Sequence, residues 1–419
     1  MTVTLEKNNN LKMNYYSMTT KEGLKIYVIN TGEKSNRGFV DIVVNYGGNN
    51  KEYIDRISGD KKIIPEGTAH LMEHLISNNG KSYKESMEDM DKMNLEFDAQ
   101  TNGTKTRYFI KFKNDYIKAI EYLMNMVLIP KINDNILEKE LGIVFSEMTA
   151  IPDHKRVSSI LYENDCKNFS VIGTKEELYK VNAKLLNNIH ANYYVPSNMA
   201  IIIKANDIPG NIFSNINKIL ENMDLKYQSK PIKAEKELVF SNNYEYYLDK
   251  NKIYYLFDMA FVYDNIEKAE LNKIKVALDI FNILNFSKYS KFSQYIYQTD
   301  LSFTNLIYDS NIEEKYFTLT AYTECPKKLK QEIINLLNSL KTKELTEKDF
   351  EFAKKLLYKQ NLDKFFENDF SLLEIFEDSY INNCSPFIQI DILSEMTLKR
   401  YNEYLEKILN YKNTYLLCE

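Results

Sequence analysis

Three side chains capable of metal binding or proton transfer lie close together near the start of the sequence. His70, Glu73 and His74 belong to the segment GTAHLMEHLI, residues 67–76. At about 100° per residue, all three fall within one sector of a helix. Two imidazoles one turn apart can reach the same zinc ion, with nitrogen–metal distances of about 2.0–2.1 Å. A carboxylate beside them is then placed to take a proton from metal-bound water.

The helix that must position these side chains, predicted over 66–78, has an apolar opposite face. Leu71, Met72, Leu75 and Ile76 lie on that face, which indicates that it packs against a core. The spacing H-x-x-E-H is the inverted form of the H-E-x-x-H motif of metallopeptidases. Taken alone, a surface helix with ordinary i,i+3 and i,i+4 polar pairs explains this spacing equally well.

A catalytic zinc site also needs a third protein ligand and an open position for water. The segment LEKELGIVFSEMTAI, residues 137–151, offers Glu138, Glu140 and Glu147. Glu140 and Glu147 are two helical turns apart and so share a face. Glu147 is therefore a candidate metal ligand, and Glu140 a candidate partner that orients a ligand. The alternative for this segment is an ordinary charged helix face.

Strands alternate with helices along the chain, as judged from the period of the apolar residues. Strands are predicted at 24–30, 39–46, 95–101, 106–112, 199–205, 253–263, 301–308 and 315–322. Helices are predicted at 66–78, 83–93, 114–128, 133–151, 209–222, 266–286, 326–341 and 346–369. The polar, charged stretch DLKYQSKPIKAEKE at 224–237 is predicted to link two domains.

Two segments, one from Thr106 and one from Glu314, resemble each other. Each runs as a strand opening with Tyr-Phe, a polar break, an amphipathic helix, a short loop and a charged helix. A chance match is the alternative, because strand–helix–helix order is common. The shared order favours two tandem domains of the same α+β fold. We assign them to 1–223 and 238–419, joined by the linker 224–237.

The overall composition excludes several classes of protein. The 54 basic and 59 acidic residues give a net charge of −5, which provides no reason to expect nucleic acid as a partner. The N-terminal stretch has no apolar core of a secretory signal. No stretch approaches the roughly 18 apolar residues of a membrane span. The four cysteines form no CxxC pair, so we expect a cytoplasmic protein without membrane partners.

Taken together, the ordered motifs resemble the pitrilysin/insulinase/mitochondrial-processing-peptidase family of inverted-zincin metallopeptidases. His70, Glu73 and His74 match the HxxEH helix of that family. Glu140 and Glu147 match its downstream E-x6-E pair.

Two further segments carry the same resemblance. DAQTNGTKTRY, residues 98–108, is similar to the family's substrate-edge strand with its Asn-Ala…Thr-x-Tyr pattern. The segment from 171 to 203 is similar to its Gly-Thr…Tyr…Pro-x-Asn-Met pattern. The resemblance extends from about Met18 to Ala205, and more weakly through the repeat.

The resemblance implies an active site and an architecture. It implies one zinc ion per chain bound by His70, His74 and Glu147, with Glu73 as general base and Glu140 behind the ligands. It implies two similar α+β domains, each an antiparallel or mixed sheet packed with helices, which together form one half of a clamshell chamber. It also implies a peptide substrate that binds extended along an edge strand. The residues of that strand are Asp98, Ala99, Gln100 and Thr101.

The departures from the family pattern concern substrate and partner. Asp98 replaces an Asn, which favours basic peptides or only preserves a hydrogen bond. In YIYQTDLSF, residues 295–303, Ile296, Asp300 and Phe303 stand where the family has Arg, Gly and Tyr. The Arg and Tyr would stabilise a developing oxyanion, and Tyr295 and Tyr297 lie at the wrong offsets to replace them. We therefore expect a heterodimer, in which a homologous half-length subunit supplies Arg and Tyr.

The leading functional hypothesis is a zinc endopeptidase that acts on short or unfolded peptides as the catalytic subunit of that heterodimer. A narrower hypothesis is that it removes the leader of a modified peptide or bacteriocin-like precursor. General degradation of oligopeptides is the competing activity, and a non-catalytic structural or regulatory subunit is the non-enzymatic alternative. His154 and His190 are interpreted as surface or packing residues, not ligands.

Overall fold

The computed structural model describes most of the chain, in two compact units. The described residues are 2–30, 37–55, 58–113, 115–150, 161, 171–205, 212–223, 225, 242–247, 254–263, 266–311, 315–342 and 344–418. Unit 1 comprises Met1–Pro152, Phe169–Glu237 and Leu373–Asn383. Unit 2 comprises Asp153–Asn168, Leu238–Leu372 and Cys384–Glu419. The predicted linker, apart from Leu225, and His154 lie outside the described residues.

Unit 1 is built on a mixed sheet of seven strands in the order β1-β2-β3-β9-β4-β8-β7, with β5 and β6 as a separate small hairpin. The β3–β9 pair is parallel, and the other pairs are antiparallel. The strands are β1 (Thr4–Asn8), β2 (Met13–Thr19), β3 (Lys25–Asn30), β4 (Arg37–Val44), β5 (Glu52–Ile54), β6 (Lys61–Ile63), β7 (Leu95–Thr101), β8 (Thr106–Lys113) and β9 (Met199–Ala205).

Helices cover one face of this sheet. They are α1 (Thr68–Asn78), α2 (Tyr83–Lys92), α3 (Tyr116–Leu128), α4 (Asp134–Ala150), α5 (Lys175–Leu178), α6 (Ala183–Tyr193) and α7 (Ile212–Glu221). Alternate strand residues such as Val40, Ile42 and Ile110 meet the apolar faces of these helices in one core. The core therefore holds α1, with its histidines, against β7 and β8.

Unit 2 repeats this plan with a five-stranded sheet in the order β10-β14-β11-β13-β12. Its strands are β10 (Tyr244–Tyr247), β11 (Tyr255–Tyr263), β12 (Ile307–Asn311), β13 (Tyr316–Thr323) and β14 (Tyr411–Cys418). The helices of the second half of the chain are α8 (Leu271–Asn285), α9 (Lys291–Gln298), α10 (Pro326–Leu340), α11 (Glu347–Phe366), α12 (Asp369–Ile381), α13 (Ile388–Glu395) and α14 (Leu398–Leu409). The run β13–α10–α11 has the order of β8–α3–α4, as the sequence repeat predicts. The predicted α+β fold class is confirmed.

The second face of the unit 1 sheet receives a segment from far along the chain. Residues 373–383, mostly the end of α12, belong to unit 1. Phe376 packs edge-on against Tyr15 and Tyr27, with ring centroids 5.1 and 5.5 Å apart. Glu377, fully buried, lies 3.2 Å from Arg107 Nη1 and 2.6 Å from Lys105 Nζ. These ion pairs hold the start of β8 from the face of the sheet opposite helices α1–α7.

The sequence-based prediction was wrong around residue 301. The strand predicted at 301–308 begins only at Ile307, and a helix, α9, precedes it. Ser302 explains why the strand begins only at Ile307. Its hydroxyl donates to the carbonyls of Thr304 and Tyr322 and holds the chain in a turn. Among the described residues, no helix combines the length and apolar character needed to cross a bilayer.

Candidate metal centre

The first turn of α1 is fixed by two closely approaching glycines. Gly67, which precedes the helix, has φ +78°, and Gly173 has φ +79°. A Cβ on Gly173 would lie 2.7 Å from the Cα of Gly67 and 2.6 Å from the carbonyl oxygen of Glu66. Only glycine tolerates both this backbone conformation and this contact. The Gly-Thr segment near residue 173 thus positions the start of the histidine helix.

The rest of α1 follows the predicted division into an apolar and a polar face. Leu71, Met72, Leu75 and Ile76 are fully buried, whereas the imidazoles of His70 and His74 are only partly covered. Because the apolar face is fixed in the core, the two imidazoles are held on the opposite side, facing α4.

Helix α4 brings a carboxylate to these imidazoles. Nε2 of His70 and Nε2 of His74 are 3.3 Å apart, and each lies 3.6 Å from Oε2 of Glu147. Four-coordinate zinc, with ligand bonds of about 2.0–2.2 Å, places neighbouring ligand atoms about 3.3–3.5 Å apart. Two nitrogens and one carboxylate oxygen therefore converge at the separations of a tetrahedral zinc site. The donor set of His70, His74 and Glu147 fits this metal.

Glu140 contacts the opposite edge of the His74 ring. Its Oε2 lies 3.3 Å from Nδ1 of His74, and the side chain is almost completely buried. A carboxylate accepts from Nδ1–H, so the lone pair on Nε2 is left to face the metal position. Among the described residues, Nδ1 of His70 has no such acceptor. The two histidines are thus oriented by different means.

The surroundings also set the protonation of the imidazoles. Burial, and then the neighbouring His74, lower the pKa of His70 to about 4. Burial lowers the pKa of His74 as well, but the hydrogen bond to Glu140 and the charges of Glu147, Glu73 and Glu140 raise it above its usual value overall. His70 is consequently neutral near pH 7 and can donate a lone pair without first losing a proton.

Glu73 lies on the same helix with its carboxylate largely shielded from solvent. Thr101 Oγ1 donates to Glu73 Oε2 at 2.6 Å. Burial raises the pKa of Glu73, and the hydrogen bond from Thr101 and the charge of His74 offset part of that rise. A carboxyl group with a raised pKa suits a general base, because it gains affinity for the proton that it must accept.

The four residues predicted to contact substrate alternate between the two faces of β7. Ala99 and Thr101 point to the helical face, where Thr101 meets Glu73. Asp98 and Gln100 are exposed and pair across the sheet with Phe109 and Arg107. Among the described strands, β7 pairs with β8 alone, so its other edge is open. The side-chain contact between Thr101 and Glu73 has no signature in the sequence.

The unit 2 positions that depart from the family pattern have structural explanations. Ile296 is buried in the core of unit 2, so this position offers no polar group. Asp300 has φ +53°, the left-handed conformation that a glycine adopts freely. Phe303 is half-exposed and lies edge-on to Tyr254, with centroids 6.0 Å apart. Tyr295 and Tyr297 are exposed on α9.

His190 is a packing residue, as expected. Its Nε2–H donates to the carbonyl of Val127 at 2.8 Å, and its ring stacks on Tyr194 with centroids 4.8 Å apart. Burial lowers its pKa to about 4. It is not part of the candidate metal-binding group found among the described residues.

Comparison with known sequences agrees with the geometry of this site. Residues 64–175 match the family model described as Insulinase (Peptidase family M16). The uncharacterized zinc protease YmfH of Bacillus subtilis (strain 168) is 24% identical over 212 residues, which cover 49% of this chain and 49% of YmfH. Mitochondrial-processing peptidase subunit beta of Mus musculus is 25% identical over 142 residues, covering 31% of this chain and 29% of that subunit. The chain thus aligns with about half or less of the length of these relatives.

Solved structures show the same fold over nearly the whole chain. A putative M16-like peptidase from Alicyclobacillus acidocaldarius superposes with a TM-score of 0.81 at 18% identity, covering 97% of this chain and 98% of the other. A peptidase M16 inactive domain from Pseudomonas fluorescens superposes with a TM-score of 0.78 at 12% identity, covering 97% of both chains. The fold is therefore shared by proteins described as peptidase and as inactive domain.

Proposed function

We propose that this chain is a zinc-dependent endopeptidase acting on short or unfolded peptides, because residues 64–175 match the Insulinase (Peptidase family M16) model. The main support is the convergence of His70 Nε2, His74 Nε2 and Glu147 Oε2 at separations of 3.3–3.6 Å. Glu73 lies one turn after His70 and directly before His74 on the same helix. These are the ligands and the base that metal-assisted hydrolysis requires.

Each residue has a distinct role in the proposed reaction. Zinc, when bound, polarises the scissile carbonyl and lowers the pKa of a coordinated water. His70, His74 and Glu147 hold the ion, and Glu140 orients the ring of His74. The Glu73 carboxylate accepts the proton of the attacking water and then delivers it to the leaving amine. The raised pKa of Glu73 favours the first transfer.

The proposed substrate binds in an extended conformation along the open edge of β7. An added strand would hydrogen-bond to the backbone of residues 98–101. Thr101 ends this strand and contacts Glu73, so a peptide paired with β7 would pass beside the base. The side chains of Asp98 and Gln100 would lie on the exposed face of the sheet, beside the bound peptide. The charge of Asp98 favours a peptide with basic side chains.

Substitution of the base tests the proposed chemistry. We expect Glu73→Gln to keep one zinc per chain, measured by plasma mass spectrometry, but to lose hydrolysis of an internally quenched unfolded peptide. Glu88→Gln, a solvent-exposed change on α2, is the matched control and should retain both. Chelation should abolish the wild-type activity, and added zinc should restore it. Cleavage by Glu73→Gln at the wild-type rate would contradict the proposal.

We further propose that the active form is a heterodimer. Ile296 and Phe303 supply no hydrogen-bond donor to a developing oxyanion, so a second, homologous half-length subunit with Arg and Tyr at these positions would complete the site. The isolated chain should cleave the quenched peptide slowly, and addition of such a subunit should raise kcat. Full activity of the isolated chain, with no dependence on a second subunit, would rule this out.

Two further experiments address the substrate of the proposed peptidase and a non-catalytic alternative. Removal of a leader from a modified or bacteriocin-like precursor predicts genes for a small precursor and a modifying enzyme beside this one, whereas general oligopeptide degradation does not. A non-catalytic subunit is a second candidate, because the fold matches an inactive M16 domain. Stoichiometric zinc in the purified protein would oppose that role, since His70, His74 and Glu147 would then be in use as ligands.

A further inference from the structure

Thr101 makes the one side-chain hydrogen bond that the Glu73 carboxylate receives within the described part of the chain. Its Oγ1 donates to Oε2 of Glu73 at 2.6 Å, across 28 residues of sequence. Glu73 is only 9% exposed, so this bond is largely shielded from water. A charge-assisted hydrogen bond in such a setting is stronger than one between neutral groups and fixes the carboxylate plane.

The Thr101 hydroxyl is itself held by a rigid hairpin. Thr101 pairs with Thr106 across the β7–β8 ladder, with their hydroxyl oxygens 3.3 Å apart. Thr106 Oγ1 in turn donates to the carbonyl of Tyr46 at 2.9 Å. The turn between the strands is closed by Lys105 N, which donates to Asn102 Oδ1 at 2.8 Å. A β-branched threonine has few χ1 rotamers, so its hydroxyl direction follows from the backbone.

The bond divides the two carboxylate oxygens of Glu73 between different tasks. Oε2 accepts from Thr101 and is therefore the less available oxygen. Oε1 accepts no hydrogen bond from the described residues and remains for the proton of the attacking water. We propose that Thr101 is a positioning residue that presents Oε1 of Glu73 to that water. This proposal rests on the proposed peptidase function.

The position of Thr101 on the edge strand links substrate binding to the alignment of Glu73. The same residue ends the strand along which the peptide is proposed to bind, and its side chain orients the base. Correct pairing of a substrate with β7 would therefore stiffen the strand that aligns Glu73. The role differs from substrate contact, because Thr101 directs its hydroxyl at the base and not at the open sheet edge.

The test compares Thr101→Val, which removes the hydroxyl but keeps the shape, with Thr101→Ser, which keeps the hydroxyl. We expect Thr101→Val to lower kcat by about 10–100-fold with KM unchanged within about twofold, the loss typical of a misplaced general base. Thr101→Ser should recover most of kcat. Thr19→Val, an exposed strand threonine of unit 1, should behave as wild type. Zinc content and melting temperature are measured for every variant.

Each other outcome overturns the proposal in a recognisable way. Wild-type kcat in Thr101→Val would show that the bond does not position the base. A rise in KM alone would make Thr101 a substrate contact. A fall in kcat accompanied by zinc loss or a lower melting temperature, shared by Thr101→Ala, would make it a structural residue. Wild-type activity of Glu73→Gln would instead refute the proposed function, independently of Thr101.

Discussion

Oε2 of Glu140 lies 3.3 Å from Nδ1 of His74, on the edge of the ring opposite the nitrogen that faces His70 and Glu147. The carboxylate is almost fully buried on α4, two turns from Glu147. One helix thus provides both a candidate ligand and the group that orients another ligand.

This relationship predicts that Glu140→Gln weakens zinc binding by about 10–100-fold without unfolding the protein, because the ring of His74 loses its charged acceptor. Competition with a chromophoric chelator measures the affinity. Glu138→Gln, an exposed change on the same helix, should leave it unchanged. Equal zinc affinities for the two variants would show that Glu140 does not orient the ligand.

The sequence predicted the local parts of this site because they depend on short-range patterns. The period of Leu71, Met72, Leu75 and Ile76 predicted both α1 and the side on which its histidines lie. The helix predicted at 114–128 begins with polar residues, and the Asp115 side chain accepts from Lys118 N at the start of α3. Each of these features is determined within a few turns of one helix.

Other features depend on contacts that no local pattern encodes. The sequence offered Glu147 as a candidate ligand on a charged helix, but only family resemblance paired it with the histidines, since helix packing, not spacing, brings α4 to α1. The bond from Thr101 to Glu73 required the actual hairpin geometry. Glu377 meets Lys105 and Arg107 from about 270 residues away, and nothing in the sequence distinguishes a buried helix glutamate from a solvated one.

The buried charge cluster predicts a large stability effect. Glu377→Ala should destabilise the protein by about 3 kcal/mol, because Arg107 and Lys105 lose a buried counter-charge. Burial, and then Glu377, raise the pKa of Asp41 well above its usual value, so removal of Glu377 should make the Asp41 carboxyl easier to ionise. This places the expected cost at the lower end for a broken buried pair.

Urea unfolding measures this free energy. Glu88→Ala, which breaks the exposed Lys84–Glu88 pair, is the control and should cost less than about 0.5 kcal/mol. Adding Asp41→Asn to Glu377→Ala should cost more than the sum of the single changes, since no carboxylate then replaces Glu377. A Glu377→Ala variant as stable as the control would contradict the assignment.

His190 predicts a dependence of stability on pH. Its pKa is about 4 in the folded protein, lowered by burial from an ordinary value of 6.5. Below pH 6.5 the unfolded chain binds a proton that the folded protein does not, so stability present above pH 6.5 is lost as the pH falls towards 4. The loss from this group is about 2–3 kcal/mol over that window.

The measurement is the difference in unfolding free energy between wild type and His190→Gln, with chelator present so that the other histidines titrate equally in both. The difference should shift in favour of the variant as the pH falls from 6.5 to 4, because glutamine does not titrate. A constant difference across this range would mean that the pKa of His190 is the same in the folded and unfolded states.

The close approach of Gly173 to Gly67 predicts a link between backbone packing and the metal site. In Gly173→Ala the new Cβ would meet the carbonyl oxygen of Glu66 at 2.6 Å, and the residue would hold a left-handed φ of +79°. We expect a loss of at least about 2 kcal/mol of stability from the clash and the strained backbone. The displaced start of α1 should also weaken zinc binding.

Gly142→Ala on α4 is the matched control, because its Cβ meets nothing within 4 Å and alanine favours a helix by about 0.5–1 kcal/mol. Melting temperature and zinc affinity should both fall in Gly173→Ala. Gly142→Ala should keep its zinc affinity and melt at a higher temperature. Unchanged zinc affinity in a destabilised Gly173→Ala would show that the glycine contact does not position the histidines.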